Sequence, residues 1–122
     1  NTFKMATHND TGKQGEQLAK EFLVANNYVI LETNYRYKKA EIDIIATKEN
    51  ILAIIEVKTR TSIHFGEPES FVNNKKIKLI LEATNAYIME KDLDLEVSLD
   101  IISVVIGKEN EINHIPNAYY FF

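Results

Sequence analysis

The stretch that decides the fold is Glu41-Ile42-Asp43-Ile44-Ile45, followed thirteen residues after Asp43 by Glu56-Val57-Lys58, which closes the apolar run Ile51 to Ile55. Glu41 to Thr47 and Ile51 to Lys58 both read as strands, and the tight turn through Lys48, Glu49 and Asn50 makes them a hairpin. Side chains alternate along a strand, so Glu56 and Lys58 share a face while Val57 points the other way, and Glu41 and Asp43 share a face of the neighbouring strand. A two-residue turn, Lys48-Glu49 or Glu49-Asn50, puts Asp43 on the same side of the sheet as Glu56 and Lys58. A three-residue turn without a bulge separates them.

Working outward, Ile51 to Ile55 is apolar without alternation, as expected of a central strand covered on both faces, and that requires helices on both sides. Thr11 is placed to cap a helix from about Lys13 to Ala25, where Leu18, Ala19, Phe22 and Leu23 recur at helical spacing, and Asn26-Asn27 stops it. Tyr28 to Asn34 reads as a strand and Arg36 to Lys39 as a basic turn. After a loop containing Gly66 and Pro68, residues Ile77, Ile80, Leu81, Thr84 and Ile88 trace the inner stripe of a second helix over Asn74 to Lys91. Val97 to Ile106 is a buried strand, Gly107 to Asn110 a turn, and Ile112 to Ile115 a short last strand. The order αβββαβ(β) predicts an α/β sandwich with a mixed sheet and one helix on each face.

A chain of 122 residues with 45% hydrophobic composition is the size of one domain with one core. The expected domain spans residues 11–122, with 1–10 a flexible N-terminal tail; Asn1 to Lys4, before Met5, are expected to lie outside the fold. Without cysteine there are no disulfides, thiolate nucleophiles or zinc-thiolate sites. The apolar runs are far shorter than the roughly 20 residues of a membrane helix, and no cationic-then-apolar leader is present, so a cytoplasmic protein with no membrane partner is expected. The net charge of -4 counts against a nucleic-acid binder. Its distribution softens the objection: Asn1 to Lys78 carries twelve Lys and Arg against ten Asp and Glu, Leu79 to Phe122 two against eight. Such asymmetry is usually one solvated acidic face, but Arg36, Lys38 and Lys39 precede the motif, Arg60 follows it, and Lys75, Lys76 and Lys78 cluster beyond.

Two carboxylates and an ammonium at the end of an otherwise apolar strand need partners, because unpaired buried charge costs several kcal/mol. A divalent metal is one such partner, since magnesium takes hard oxygen ligands, is commonly held by one or two carboxylates, and keeps waters able to attack phosphorus. Lys58 is then placed to orient or deprotonate that water and to stabilise charge on the phosphate. An isolated E-x-K on a strand is more simply a plain salt bridge. Glu16 changes the balance, because it lies beside Ala19 and Leu23 at the edge of the inner helix stripe, although a first-turn Glu is equally explained by the helix dipole. Gly12 and Gly15 allow a close backbone approach or mark a frayed start. His8, His64 and His114 form no metal-ligand spacing, the serines have no base at a recognisable interval, and no Gly-rich phosphate loop exists.

Taken together, Gly15-Glu16 with Leu18-Ala19, Asn34-Tyr35-Arg36, Glu41-Ile42-Asp43 with Ile45-Ala46, Glu56-Val57-Lys58-Thr59-Arg60, Phe65-Gly66 with Pro68, Lys76, Asp100, His114-Ile115 and Asn117-Ala118 resemble the bacterial YraN family of predicted nucleases. More distantly they resemble archaeal Holliday-junction resolvases of the PD-(D/E)xK superfamily. The resemblance covers nearly the whole chain from Gly12, with one departure at Ala40, where the family usually has Gly. It implies a restriction-endonuclease-like fold and a Mg2+-dependent endonuclease acting on nucleic acid, DNA in first place and branched DNA among the candidates, with Mn2+ as a substitute ion. Asp43 and Glu56 then hold the metal, Glu16 supports it, Lys58 serves the water, and Lys76 touches the phosphate backbone. From their places around the motif, Arg36, Lys38, Lys39 and Arg60 are expected to border the site with Lys76 as a positive patch that binds nucleic acid. Symmetrical cutting of two strands calls for a homodimer. The alternative is a nucleic-acid-binding or DNA-processing accessory protein that retains the nuclease fold without cutting.

Overall fold

Residues 8–61 and 74–119 are described in the computed structural model; the loop carrying His64, Gly66 and Pro68, and residues 1–7, lie outside the described residues. The elements run α1 (His8–Ala25), β1 (Val29–Tyr37), β2 (Ala40–Lys48), β3 (Ile51–Thr61), α2 (Asn74–Lys91), β4 (Glu96–Ile106) and β5 (Glu111–Ile115). This is the expected α/β sandwich, a mixed five-stranded sheet in the order β1-β2-β3-β4-β5. β3 and β4 pair in parallel and every other neighbour antiparallel, the parallel step being the one that α2 connects. Among the described residues no helix is long and apolar enough to cross a membrane.

The two faces have separate cores. On one, Ala19 and Leu23 of α1 pack with Ile44, Ala46, Ala53 and Ile55 of the central strands and with Ile102 and Val104. On the other, Ile80, Ala83 and Tyr87 of α2 pack with Ala40, Ile42, Ile45, Leu52 and Ile54. The unbroken apolar run of β3 is thus explained, since both sides of the strand are covered by a helix.

α1 opens at His8, not near Lys13, so Thr11 lies inside the helix instead of capping it. Asp10 takes the first turn, where a negative charge is favoured by the helix dipole, and Gly12 is accommodated without breaking the helix. Both helices end in the same way: Asn27 (φ 71°) and Asp92 (φ 52°) turn left-handed, and Tyr28 N–H and Leu93 N–H reach back to Leu23 O (2.9 Å) and Ile88 O (3.1 Å). β1 is longer than expected and includes Arg36, which leaves Lys38-Lys39 as the β1–β2 turn. Asn34 does not end β1; it is a break inside it, and pairing resumes at Tyr35↔Ile42.

That break organises the middle of the sheet. Ile42 and Ile44 are two residues apart yet lie in opposite cores, so β2 loses its alternation at Asp43. Asn34, opposite Asp43 and between the paired Thr33↔Ile44 and Tyr35↔Ile42, has a left-handed backbone (φ 53°). Both strands therefore flip at one level. Alternation thus does not fix the side of Asp43, but Glu41 and Asp43 line the same cleft as Glu56. The β2–β3 turn is the two-residue Glu49-Asn50, with Lys48↔Ile51 as the closing pair. Pairing of β2 with β3 stops at Ile44↔Ile55, whereas β3 continues beside β4 to Thr61↔Ile106. A fork opens between β2 and β3 just past Ile55.

α1 approaches this fork through Gly15. A Cβ there would stand 1.9 Å from Thr59 Oγ1 and 2.7 Å from its Cβ, whereas one at Gly12 would meet nothing within 4 Å. Gly15→Ala is predicted to lower unfolding stability by about 1–3 kcal/mol, the usual cost of overpacking, and Gly12→Ala to raise it by roughly 0.5–1 kcal/mol. Urea denaturation of the two variants checks this; equal effects would contradict the close contact.

Candidate active site

The fork leaves backbone groups of β3 without a strand partner. Val57 N–H finds its acceptor in a side chain, donating to Asp43 Oδ2 at 2.8 Å. Because alternation fails at Asp43, this hydrogen bond, and not strand parity, sets the direction of its carboxylate. Asp43 and Glu56 line one narrow cleft with Glu41, Ile54, Ile80 and Tyr119. Glu56 lies on the α2 side with Ile54, as alternation requires.

Four carboxylates act on one another here. Burial, opposed by the Val57 N–H and reinforced by the charges of Glu16, Glu56 and Glu41, pushes Asp43 up from 3.8 to about 6. Glu16 is raised by partial burial and by the Glu41 charge, with an Asn34 side-chain hydrogen bond and Lys20 opposing. Glu16 is thus brought toward the sheet by α1, as its place on the helix stripe indicated. Glu41 was not counted in the site, although its charge acts on both; Arg36 pairs with it at 3.7 Å on the exposed rim.

Glu56 has two cationic partners on one oxygen. Lys58 Nζ lies 3.1 Å and Lys76 Nζ 2.5 Å from Glu56 Oε2. The plain salt bridge that an E-x-K motif offers is therefore present, with a second lysine added from α2. Among the described residues no three His, Asp or Glu side chains stand together as a ready-made metal cage. The donor set still fits a magnesium-like ion, which needs only one or two carboxylates beside water and phosphate. Half-buried hard oxygens that repel one another, one of them holding its proton to about pH 6, are what such an ion relieves.

The remaining bases distribute unevenly. Lys38 lies over the Tyr37 ring at 5.4 Å and Lys39 is exposed in the same turn. Antiparallel pairing brings that turn to the end of the sheet where β3 carries Lys58 and Arg60. Arg60 is half-buried, and its Nη1 has no hydrogen-bond partner among the described residues.

Two features were not assigned roles from sequence. Buried Asp100 is held by His114 Nε2 at 2.7 Å, by Asn117 N–H at 3.1 Å and by the Ser98 hydroxyl. His114 also sits edge-on to Phe22 and Tyr28, so its ring is packed within the fold while Nε2 meets Asp100. This clamp, with Ala118 N–H on Leu99 O at 2.8 Å, docks the turn after β5 and sets Tyr119 against the cleft. Burial and the charges of Glu56, Asp43 and Asp100 raise the Tyr119 phenol well above its ordinary value. Asn117-Ala118 adjoins it in the sequence, but a lone aromatic after a turn carries no periodic signal.

Residues 15–104 match the family described as Uncharacterised protein family UPF0102. The chain belongs to the UPF0102 family. It is 56% identical over 119 residues to a UPF0102 protein of Flavobacterium psychrophilum, covering 97% of this chain and all of that one. It is 49% identical to one of Christiangramia forsetii, with the same coverage of both chains, and 44% identical to one of Phocaeicola vulgatus, over 95% of this chain and 97% of that one. The matched span contains Glu16, Asp43, Glu56, Lys58 and Lys76, and ends before His114 and Tyr119. Ala40, buried on the α2 face, has no left-handed backbone, so the missing glycine costs no strain there.

The raised Asp43 value has a consequence for folding. The folded chain binds this proton more tightly than the unfolded one, so the contribution is destabilising as pH rises from 3.8 to about 6 and constant above. Asp43→Asn retains an acceptor for Val57 N–H but cannot ionise. In chelator, the variant is predicted to gain stability relative to the parent across that window and keep the gain at pH 8. A pH-independent difference in melting temperature would contradict it.

Proposed function

We propose that this chain is a divalent-cation-dependent phosphodiesterase that cuts nucleic acid, with a PD-(D/E)xK-type site of Asp43, Glu56, Lys58 and Glu16. The observation that carries the reading is the fork: an Asp whose carboxylate is fixed by Val57 N–H, beside Glu56 and Lys58 on the next strand, under the repulsion of two further carboxylates. A sheet that wanted only a salt bridge would need Glu56 and Lys58 alone. The restriction-endonuclease-like reading of the αβββαββ sandwich supports the same chemistry.

Asp43 and Glu56 would hold Mg2+ or Mn2+, with Glu16 behind them, and the ion would supply a Lewis acid and an activated water for attack on phosphorus. Lys58 orients that water and stabilises charge on the phosphate. Tyr119 and Ile80 narrow the cleft beside Asp43 and Glu56. Arg36, Lys38, Lys39, Arg60 and Lys76 receive the substrate backbone, DNA being the first candidate. A homodimer is the arrangement that would cut two strands symmetrically.

One observation favours a second reading. Glu56 is already neutralised by two lysines, as a non-cutting accessory protein that binds nucleic acid would need. A panel of linear, flapped and four-way-junction DNA and RNA, incubated with Mg2+ or Mn2+, separates the two. The parent is expected to cut at least one substrate in a metal-dependent way, Lys58→Ala to lose roughly 10²- to 10⁴-fold in rate, and Asp43→Asn and Glu56→Gln to lose cleavage while keeping nucleic-acid affinity. Absence of cleavage by the parent, with binding retained, selects the accessory reading.

A further inference from the structure

The ion pair between α2 and β3 is built unlike the other described pairs. Its carboxylate is nearly enclosed, the Glu56 side chain being 11% exposed, while the Lys76 side chain is 41% exposed and reaches in from the first turn of α2. The second ammonium, Lys58, belongs to β3 itself and is 25% exposed. Two like charges converge on the same atom, Oε2, and repel each other there. Helix stability gives no reason for the arrangement: Lys75 and Lys76 open α2, and its first turn has no acidic residue, which runs against the helix dipole.

We propose that Lys76 is a displaceable counter-ion: its ammonium keeps Glu56 Oε2 neutralised in the ion-free protein, and an incoming divalent cation takes that oxygen and turns Lys76 out toward the substrate phosphate. The proposal rests on the reading that Asp43 and Glu56 hold such an ion. A dication puts twice the charge of one ammonium on the oxygen and can serve Asp43 at the same time. Lys76 loses little by leaving, because its flexible four-carbon stem keeps its packing while the strongly hydrated head returns to water. Lys58 stays, being fixed by its strand. Ion and lysine are therefore competitors for one atom, and each weakens the other's hold.

The test is calorimetric titration of the full chain with Mn2+ alone, for the parent, Lys76→Met, Lys76→Arg and Glu56→Gln, each first checked for an unchanged melting profile. Lys76→Met, which keeps the stem and removes the charge, is expected to bind Mn2+ about fivefold or more tightly than the parent, within the usual range of coupling between sites. Lys76→Arg should restore weak binding, and Glu56→Gln should bind poorly whatever stands at 76. In the parent, the side-chain signals of Lys76 should move toward those of a solvated lysine when Mg2+ is added. Binding of Mn2+ at Glu56 with equal or lower affinity in Lys76→Met overturns the proposal while leaving the metal site intact. No Mn2+ binding by either protein overturns both.

Discussion

Everything at the centre of this sheet follows from where β2 and β3 part. Past Ile44↔Ile55, β3 keeps its parallel partner β4 and loses β2, so Val57 N–H must find another acceptor or be left unsatisfied at a net cost of order 1–3 kcal/mol. Asp43 supplies it. For a side chain of β2 to reach the backbone of β3, β2 has to abandon its pleat, and β1 abandons its own at the same level through the left-handed Asn34. The same Asn34 then hydrogen-bonds Glu16, which α1 can bring so close only because Gly15 lets the helix backbone ride against Thr59. One orphaned N–H thus links three strands and a helix.

The electrostatic consequence is a site under tension. Fixing Asp43 by a backbone hydrogen bond favours its ionised form, while burial and three neighbouring carboxylates oppose it, and the balance leaves the group poised near pH 6. On the far side of the cleft Glu56 is over-supplied with positive charge by Lys58 and Lys76. Carboxylates short of countercharge therefore stand next to one with an excess. A divalent ion entering between them would relieve both conditions together, and that asymmetry, more than any single distance, gives the UPF0102 chain its chemical character.

Much of this was legible from the residues, and the parts that were not share a physical cause. The sandwich, α2 and the central β3 follow from periodicity, because each depends on local spacing and on burial of an apolar face, whereas the length of the β2–β3 turn, open between two and three residues from sequence, is settled only by the pairing Lys48↔Ile51. Glu56 and Lys58 on one face followed from alternation alone. Asp43 beside Glu56 follows from the hairpin, although parity is there counted through a residue where the pleat fails. Asn34 looked like a strand end, since nothing in its neighbours tells a break from a stop. Thr11 looked like a cap because helix starts are decided by a few backbone hydrogen bonds with weak sequence marks. Lys76 on Glu56 and Tyr119 over the cleft are contacts between elements far apart in the chain, and no local pattern encodes them.

The central claim, that the carboxylates around the β2–β3 fork form a divalent-cation site, is tested most directly by adding substoichiometric Mn2+ to the isotopically labelled chain and following paramagnetic broadening. The account predicts that the Val57 amide and the Asp43 and Glu56 signals are lost first, with Glu16 and Lys76 next, while the acidic stretch at Asp92 and Asp94 is unaffected at the same ion concentration. Broadening that begins at Asp92 and Asp94, or that spreads evenly over the acidic surface with the fork untouched, would contradict it.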